Sequence, residues 1–127
     1  MNYLLDTHVL IWYFEDAAGL PVEITRVIDN PIYHKFISVA SLWEIAIKSN
    51  IGKLDMQLSF DELLDVIDGS ELSIIPIKNG YLKGLSRLPF IHKDPFDRII
   101  IATALMEKLT IMTIDENIQK YDVPWIW

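Results

Sequence analysis

Asp94-Pro95-Phe96-Asp97-Arg98-Ile99-Ile100-Ile101-Ala102-Thr103-Ala104-Leu105 opens as a helix opens and then turns apolar on every side. An acid followed by proline suits a first turn, where the missing proline N–H leaves no helical bond unmade. Ile99, Ile100, Ile101, Ala102, Ala104 and Leu105 make it apolar nearly all round, so this helix is expected to lie buried at the centre of the fold. Residues 110–114 come next as a short apolar strand.

Working outward, the same alternation fills the chain. Residues 3–5 read as a strand ending at Asp6, and a helix begins over residues 9–14. Residues 21–30 form a second helix with Pro21 near its first turn, and 35–39 a strand. The next helix, residues 41–49, carries Leu42, Trp43, Ile45, Ala46 and Ile47 and is closed by Asn50 and Gly52. Residues 59–67 make an amphipathic helix stopped by Gly69, 72–75 a strand ending at Pro76, and 79–88 a short helix. Residues 116–120 form a helical turn and 123–127 an edge strand. Strands alternating with helices predict an α/β fold with a central parallel sheet covered on both faces.

The length, 127 residues, is that of one domain spanning 1–127, and 51% hydrophobic residues suffice for a packed core. Cysteine is absent, the start Met1-Asn2-Tyr3-Leu4-Leu5-Asp6 lacks a basic segment and a long apolar run, and no stretch reaches the ~20 apolar residues that cross a bilayer. A cytoplasmic protein with no membrane partner is the expectation. The net charge of −7 argues against binding nucleic acid through a general basic surface. An RNA-binding reading therefore needs bound cations to neutralise a concentrated negative site.

Such a site is visible in the placement of four acids. Asp6 and Asp115 come directly after strands, and Glu44 and Asp97 lie in the first turns of helices. In open α/β sheets ligands bind beyond the carboxyl ends of the strands, so all four can converge on one cleft. Each acid also has a purely structural explanation. Ser41-Leu42-Trp43-Glu44 has the spacing of a capping box, Asp94-Pro95-Phe96-Asp97 that of an N-cap with an acid complementing the helix dipole, and Asp6 and Asp115 can each cap the segment after it. Taken together the four weigh differently. Two carboxylates ~4 Å apart repel by ~4 kcal/mol at an effective dielectric of 20, and several such pairs exceed what a small domain can spare. Protonation, pairing with Lys or Arg, or hard divalent cations such as magnesium must relieve them.

These segments also resemble a known family. Leu4-Leu5-Asp6-Thr7-His8, Ser41-Leu42-Trp43-Glu44-Ile45-Ala46-Ile47-Lys48 with Gly52-Lys53-Leu54, His92-Lys93-Asp94-Pro95-Phe96-Asp97-Arg98, and Thr113-Ile114-Asp115 resemble, in order and spacing, the motifs of VapC-type PIN-domain toxins. The resemblance implies a three-layer α/β/α fold and a Mg2+- or Mn2+-dependent endoribonuclease, the toxin of a type II toxin-antitoxin pair. It further implies an RNA substrate, a VapB-type antitoxin partner and a homodimer. By position Asp6, Glu44 and Asp97 match the family's main acids and Asp115 its more variable fourth. Asp94, one turn before Asp97, either joins the metal shell or caps the helix, and the cap is favoured.

Around these acids, Thr7 and Thr113 are candidates to hydrogen-bond a carboxylate or phosphate, with local backbone bonding as the equal alternative. Arg98 is a candidate phosphate contact, whereas Lys48, four residues after Glu44, reads as a helix ion pair. His8 and His92 lack a partner at metal-ligand spacing and are assigned no role. Of Trp12, Trp43, Trp125 and Trp127, Trp43 is expected in the core. Two rival classes use the same fold: a magnesium-binding receiver-like signalling module, which wants paired acids after the first strand and a lysine ending its last, and a non-catalytic interaction domain.

Overall fold

A computed structural model describes all residues, Met1–Trp127. The chain runs β1 (Asn2–Leu5), α1 (Thr7–Phe14), α2 (Val22–Asp29), β2 (His34–Ser38), α3 (Val39–Asn50), α4 (Phe60–Asp68), β3 (Ser73–Ile75), α5 (Asn79–Ser86), α6 (Pro95–Glu107), β4 (Thr110–Met112), α7 (Glu116–Gln119) and β5 (Trp125–Ile126). The strands form one parallel sheet in the order β3-β2-β1-β4-β5. The order reverses at β1, and a cleft beyond the strand ends at such a reversal is where open α/β sheets take ligands.

Two cores lie on the two faces of this sheet. Leu4 and Ile111 point to one, with Ile99, Ile100, Ile101 and Tyr81, and Leu5, Ile37 and Met112 point to the other, with Val9, Ile24, Ile45 and Leu63. Alternate strand residues thus serve opposite layers, as the period of two requires. α6 is the buried helix its sequence announces, with an unbroken buried run from Arg98 to Ala104. It ends at Lys108, whose left-handed φ of 56° turns the chain into β4.

Three expectations are corrected. α3 starts at Val39, because Ser38 and not Ser41 is its N-cap, accepting from Ala40 N. Ser41 is therefore an interior helix residue, the capping-box explanation of Glu44 falls away, and Glu44 sits in the second turn. β4 ends at Met112, two residues early, because the Thr113 hydroxyl accepts the Asp115 N–H and bends the chain into α7. Trp43 is not core: it is 58% exposed on an outer stripe with Ile47 and Ile51, spaced by four residues along α3. Its one aromatic neighbour is Phe96, edge to face at 5.2 Å. Trp12 packs against Trp127 with ring centroids 5.9 Å apart. No helix is long and apolar enough to cross a membrane.

Candidate active site

Leu5 pairs with Ile37 on one side and Met112 on the other, so the residues after these three, Asp6, Ser38 and Thr113, emerge side by side at the carboxyl edge of the sheet. Asp6 caps α1 through Oδ1, which accepts from His8 N at 2.7 Å. Its Oδ2 accepts from the Thr113 hydroxyl. The structural and the functional explanations of Asp6 are therefore compatible, since a carboxylate has two oxygens and the cap uses one. Asp115 likewise caps α7, accepting from Asn117 N with Oδ1, and Asp94 caps α6, accepting from Asp97 N at 2.9 Å.

α3, which carries Glu44, packs against α1, whose N-cap is Asp6, and against α6, which carries Asp97. Glu44 is only 5% exposed. Its Oε2 pairs with Lys48 Nζ at 2.7 Å, the helix ion pair expected of Lys48, and this contact holds the lysine's pKa above its usual value. Its Oε1 is buried with no hydrogen-bond partner. An unpaired buried carboxylate oxygen costs on the order of 1–3 kcal/mol or more, so a ligand supplied from outside would relieve it.

Electrostatics tie the acids together. Burial pushes the Asp6 pKa up, and the charge of Asp115 pushes it the same way, against the bonds from Thr113 and His8 N. Asp97 is pushed up to about 7, chiefly by burial and further by Asp94, Asp115 and Asp6, while a hydrogen bond from His92 opposes the rise. A carboxylate pushed towards neutrality chiefly by burial, and further by other carboxylates, is a candidate for a functional role. No three acidic or histidine side chains close into a ready-made ion cage. The donor set is nevertheless all hard oxygen, with an orphaned oxygen on Glu44 and three further acids whose charges reach Asp97, which suits magnesium or manganese, ions that keep part of their water and take one or two carboxylates.

The supporting residues divide. Thr113 does meet a carboxylate, bridging Asp6 Oδ2 and the backbone of Asp115. Thr7 does not: its hydroxyl donates to Ser41 Oγ at 2.9 Å and ties α1 to α3. Arg98 is buried, and its guanidinium is taken up by acceptors within the protein. Its Nη1 donates to Pro89 O at 2.9 Å and to Tyr121 OH at 3.0 Å, and the guanidinium lies 4.9 Å from the Phe90 ring. The phosphate-contact expectation for Arg98 is therefore replaced by a role in holding the loop before α6.

His92 is the residue that sequence reasoning passed over. Its Nε2 stands 3.1 Å from Asp97 Oδ2 and its Nδ1 2.8 Å from Tyr121 OH. The only signal for it was its place at the head of His92-Lys93-Asp94-Pro95-Phe96-Asp97-Arg98, because the partner Tyr121 lies 29 residues away and no spacing links the two. His8, 58% exposed and 3.8 Å from Asp6, stays without a role. The largest cavity, about 510 Å³ between α1 and α2 and lined by Trp12, Tyr13, Leu20 and Arg26, contains none of Asp6, Glu44, Asp97 and Asp115. Charge and burial locate this site better than volume does.

Comparison with known proteins bears on the family and the fold. A family model described as PIN domain matches residues 3–124. No curated protein matches the chain in sequence. Among solved structures, VapBC2 from Rickettsia felis, bound to a promoter DNA fragment, is 17% identical, with 99% of this chain and 98% of that chain covered and a TM-score of 0.77. DNA-bound VapBC from Salmonella typhimurium is 17% identical over 99% and 97% of the two chains, with a TM-score of 0.72. VapBC-5 from Mycobacterium tuberculosis, of a toxin-antitoxin family, is 18% identical over 98% and 97%, with a TM-score of 0.64. At these identities the likeness is one of fold.

Proposed function

The chain belongs to the PIN-domain family, and from that premise we propose that it is a divalent-metal-dependent endoribonuclease and the toxin of a toxin-antitoxin pair. The observation that carries the proposal is the set of acids at the sheet's switch point, above all Asp97, pushed up to about 7 chiefly by burial, and the buried Glu44 with its unpaired oxygen.

Asp6, Glu44 and Asp97 would hold the ion, with Asp115 at the rim and Asp94 left to its cap. When bound, magnesium or manganese polarises a phosphate and makes water acidic enough to attack near neutral pH. The chain itself supplies the orientation. Thr113 fixes Asp6 from the sheet side, Lys48 fixes one oxygen of Glu44 and leaves the other inward, and His92 fixes Asp97. With the acids neutralised, a chain of net charge −7 no longer repels RNA at this point. Hydrolysis by water leaves a 5′-phosphate and a 3′-hydroxyl and needs no 2′-hydroxyl, so a cyclic phosphate product would count against it.

A receiver-like module is disfavoured because the last two strands end in Met112 and Ile126 and no lysine comes after either of them at the acids. The similar structures are VapBC complexes, and a VapB-type antitoxin is the partner proposed for this chain, together with a homodimer. The exposed apolar stripe Trp43, Ile47 and Ile51 supports such association, which sedimentation of the isolated chain tests. The deciding experiment for the activity is incubation of a mixed RNA pool with purified protein in magnesium, manganese or chelator, beside Asp97→Asn. Metal-dependent cleavage lost in the variant is expected, and a folded, ion-binding protein that cuts nothing sinks the reading.

A further inference from the structure

We propose that His92 is a positioning residue for Asp97, locked by Tyr121 in the tautomer that carries its proton on Nε2. The purpose of the positioned carboxylate rests on the ribonuclease reading, whereas the lock itself stands on hydrogen-bond counting.

A tyrosine oxygen has one proton to give and two lone pairs to receive with. The Tyr121 oxygen receives from Arg98 Nη1 at 3.0 Å and from the backbone N–H of His92 at 3.2 Å. With both lone pairs taken, its own proton must be donated outward. The nearest acceptor is Nδ1 of the His92 ring at 2.8 Å, while the His92 carbonyl lies at 3.5 Å. A neutral ring that accepts at Nδ1 carries its proton at Nε2. That N–H faces Asp97 Oδ2 at 3.1 Å.

Every member of the chain is itself held. Tyr121 is buried, and Arg98 is anchored on the carbonyls of Pro89 and Leu88 and lies over the Phe90 ring. The loop before α6, the first turns of α6 and the turn after α7 therefore converge on one oxygen of Asp97. Because Nε2 can only donate, Oδ2 can only accept, and Oδ1 is the oxygen that would remain for a cation. Hydrogen bonds behind a ligating group set its orientation, and their loss typically weakens metal affinity or activity 10- to 100-fold. Arg98, absent from the acid pocket itself, acts on it through Tyr121 and His92.

The test uses the full chain and three variants: His92→Phe, which removes the donor, His92→Gln, which retains an N–H, and Tyr121→Phe, which frees the ring. Long-range proton–nitrogen spectra of the histidine ring in metal-free protein are expected to show the Nε2–H tautomer in the wild type and a mixture in Tyr121→Phe. Manganese affinity, measured by direct titration, and RNA cleavage are expected to fall about 10- to 100-fold in His92→Phe and to recover in His92→Gln. An Nδ1–H tautomer in the wild type overturns the proposal, as does a folded His92→Phe that binds manganese as tightly as the wild type. If His92→Phe does not fold, the wild-type spectrum and His92→Gln decide. A wild-type protein that neither binds manganese nor cuts RNA overturns the ribonuclease reading instead, and the ring spectrum then judges the lock alone.

Discussion

Ser59-Phe60-Asp61-Glu62 at the start of α4 and Asp94-Pro95-Phe96-Asp97 at the start of α6 obey the same local rule: a capping side chain, then an acid three residues on whose N–H the cap accepts. Their acids behave in opposite ways. Glu62 completes a capping box by accepting from Ser59 N at 2.9 Å, and these bonds in open solvent hold its pKa below the usual value. Asp97 never reaches back to its cap. It is partly buried, faces Asp94, Asp115 and Asp6, and titrates near 7. One acid serves the helix it begins, and the other is pushed up chiefly by burial and further by its own cap Asp94 and by Asp6 and Asp115, which other elements deliver. A cap motif establishes that a helix starts there and says nothing about which charges its acid will meet.

The largest difference should appear in catalysis. Asp97→Asn is expected to lower RNA cleavage by about 1,000-fold, while Glu62→Gln leaves the rate unchanged under the same assay. Equal losses in both would erase the distinction between the two helix starts.

Next comes the response to metal. A ligand present at about 100 times its Kd stabilises the folded state by ~2.7 kcal/mol, so magnesium should raise the melting temperature of the wild type and of Glu62→Gln by several degrees. In Asp97→Asn most of that shift should vanish. A melting temperature indifferent to magnesium in all three proteins would remove the ion from the account.

The two acids also predict opposite pH trends. The folded state holds the Asp97 proton more tightly than the unfolded chain does, with a pKa of about 7 against 3.8. That contribution is complete below the unfolded value and is lost as pH rises through about 7. Metal-free wild type should therefore lose about 1 kcal/mol or less between pH 6 and pH 8, since only part of the shift falls in that window and the partly solvated site reduces it further. Denaturant melts of Asp97→Asn should be flat over the same interval and show a more stable protein at pH 8. Glu62 runs the other way: its pKa is lowered on folding, so its contribution is present above the unfolded value and fades as pH falls through the folded one.

The smallest effect belongs to the α4 cap. Ser59→Ala should cost about 1 kcal/mol in chemical denaturation without touching cleavage or magnesium binding. A change in either would mean that α4 reports to the acid site after all.

Much of the α/β architecture was legible from the chain. The apolar run through Ile99–Ile101, the strands ending at Asp6 and near Thr113, and the caps at Ser59 and Asp94 are local signals, because backbone periodicity and capping act within a few residues. Boundaries failed where a side chain redirected the backbone: Ser38 starts α3 before Ser41 does, and Thr113 ends β4 early. Trp43 was misplaced because α3 is apolar around most of its circumference, and only the packing of α1 and α6 decides which stripe stays outside.

The sequence by itself determined the parallel α/β pattern, the positions of the four acids and the ion pair of Lys48 with Glu44, since each arises from spacing along one element or across one turn. Only the tertiary structure decided that Asp97 is the acid pushed up to about 7, that Thr7 bonds Ser41 rather than a carboxylate, that Arg98 bonds the loop before α6, and that His92 meets Asp97 with its ring held from behind by Tyr121. The reason is physical: desolvation and charge repulsion depend on which segments meet in space, and no local spacing records a meeting between residues that lie 29 or 107 positions apart.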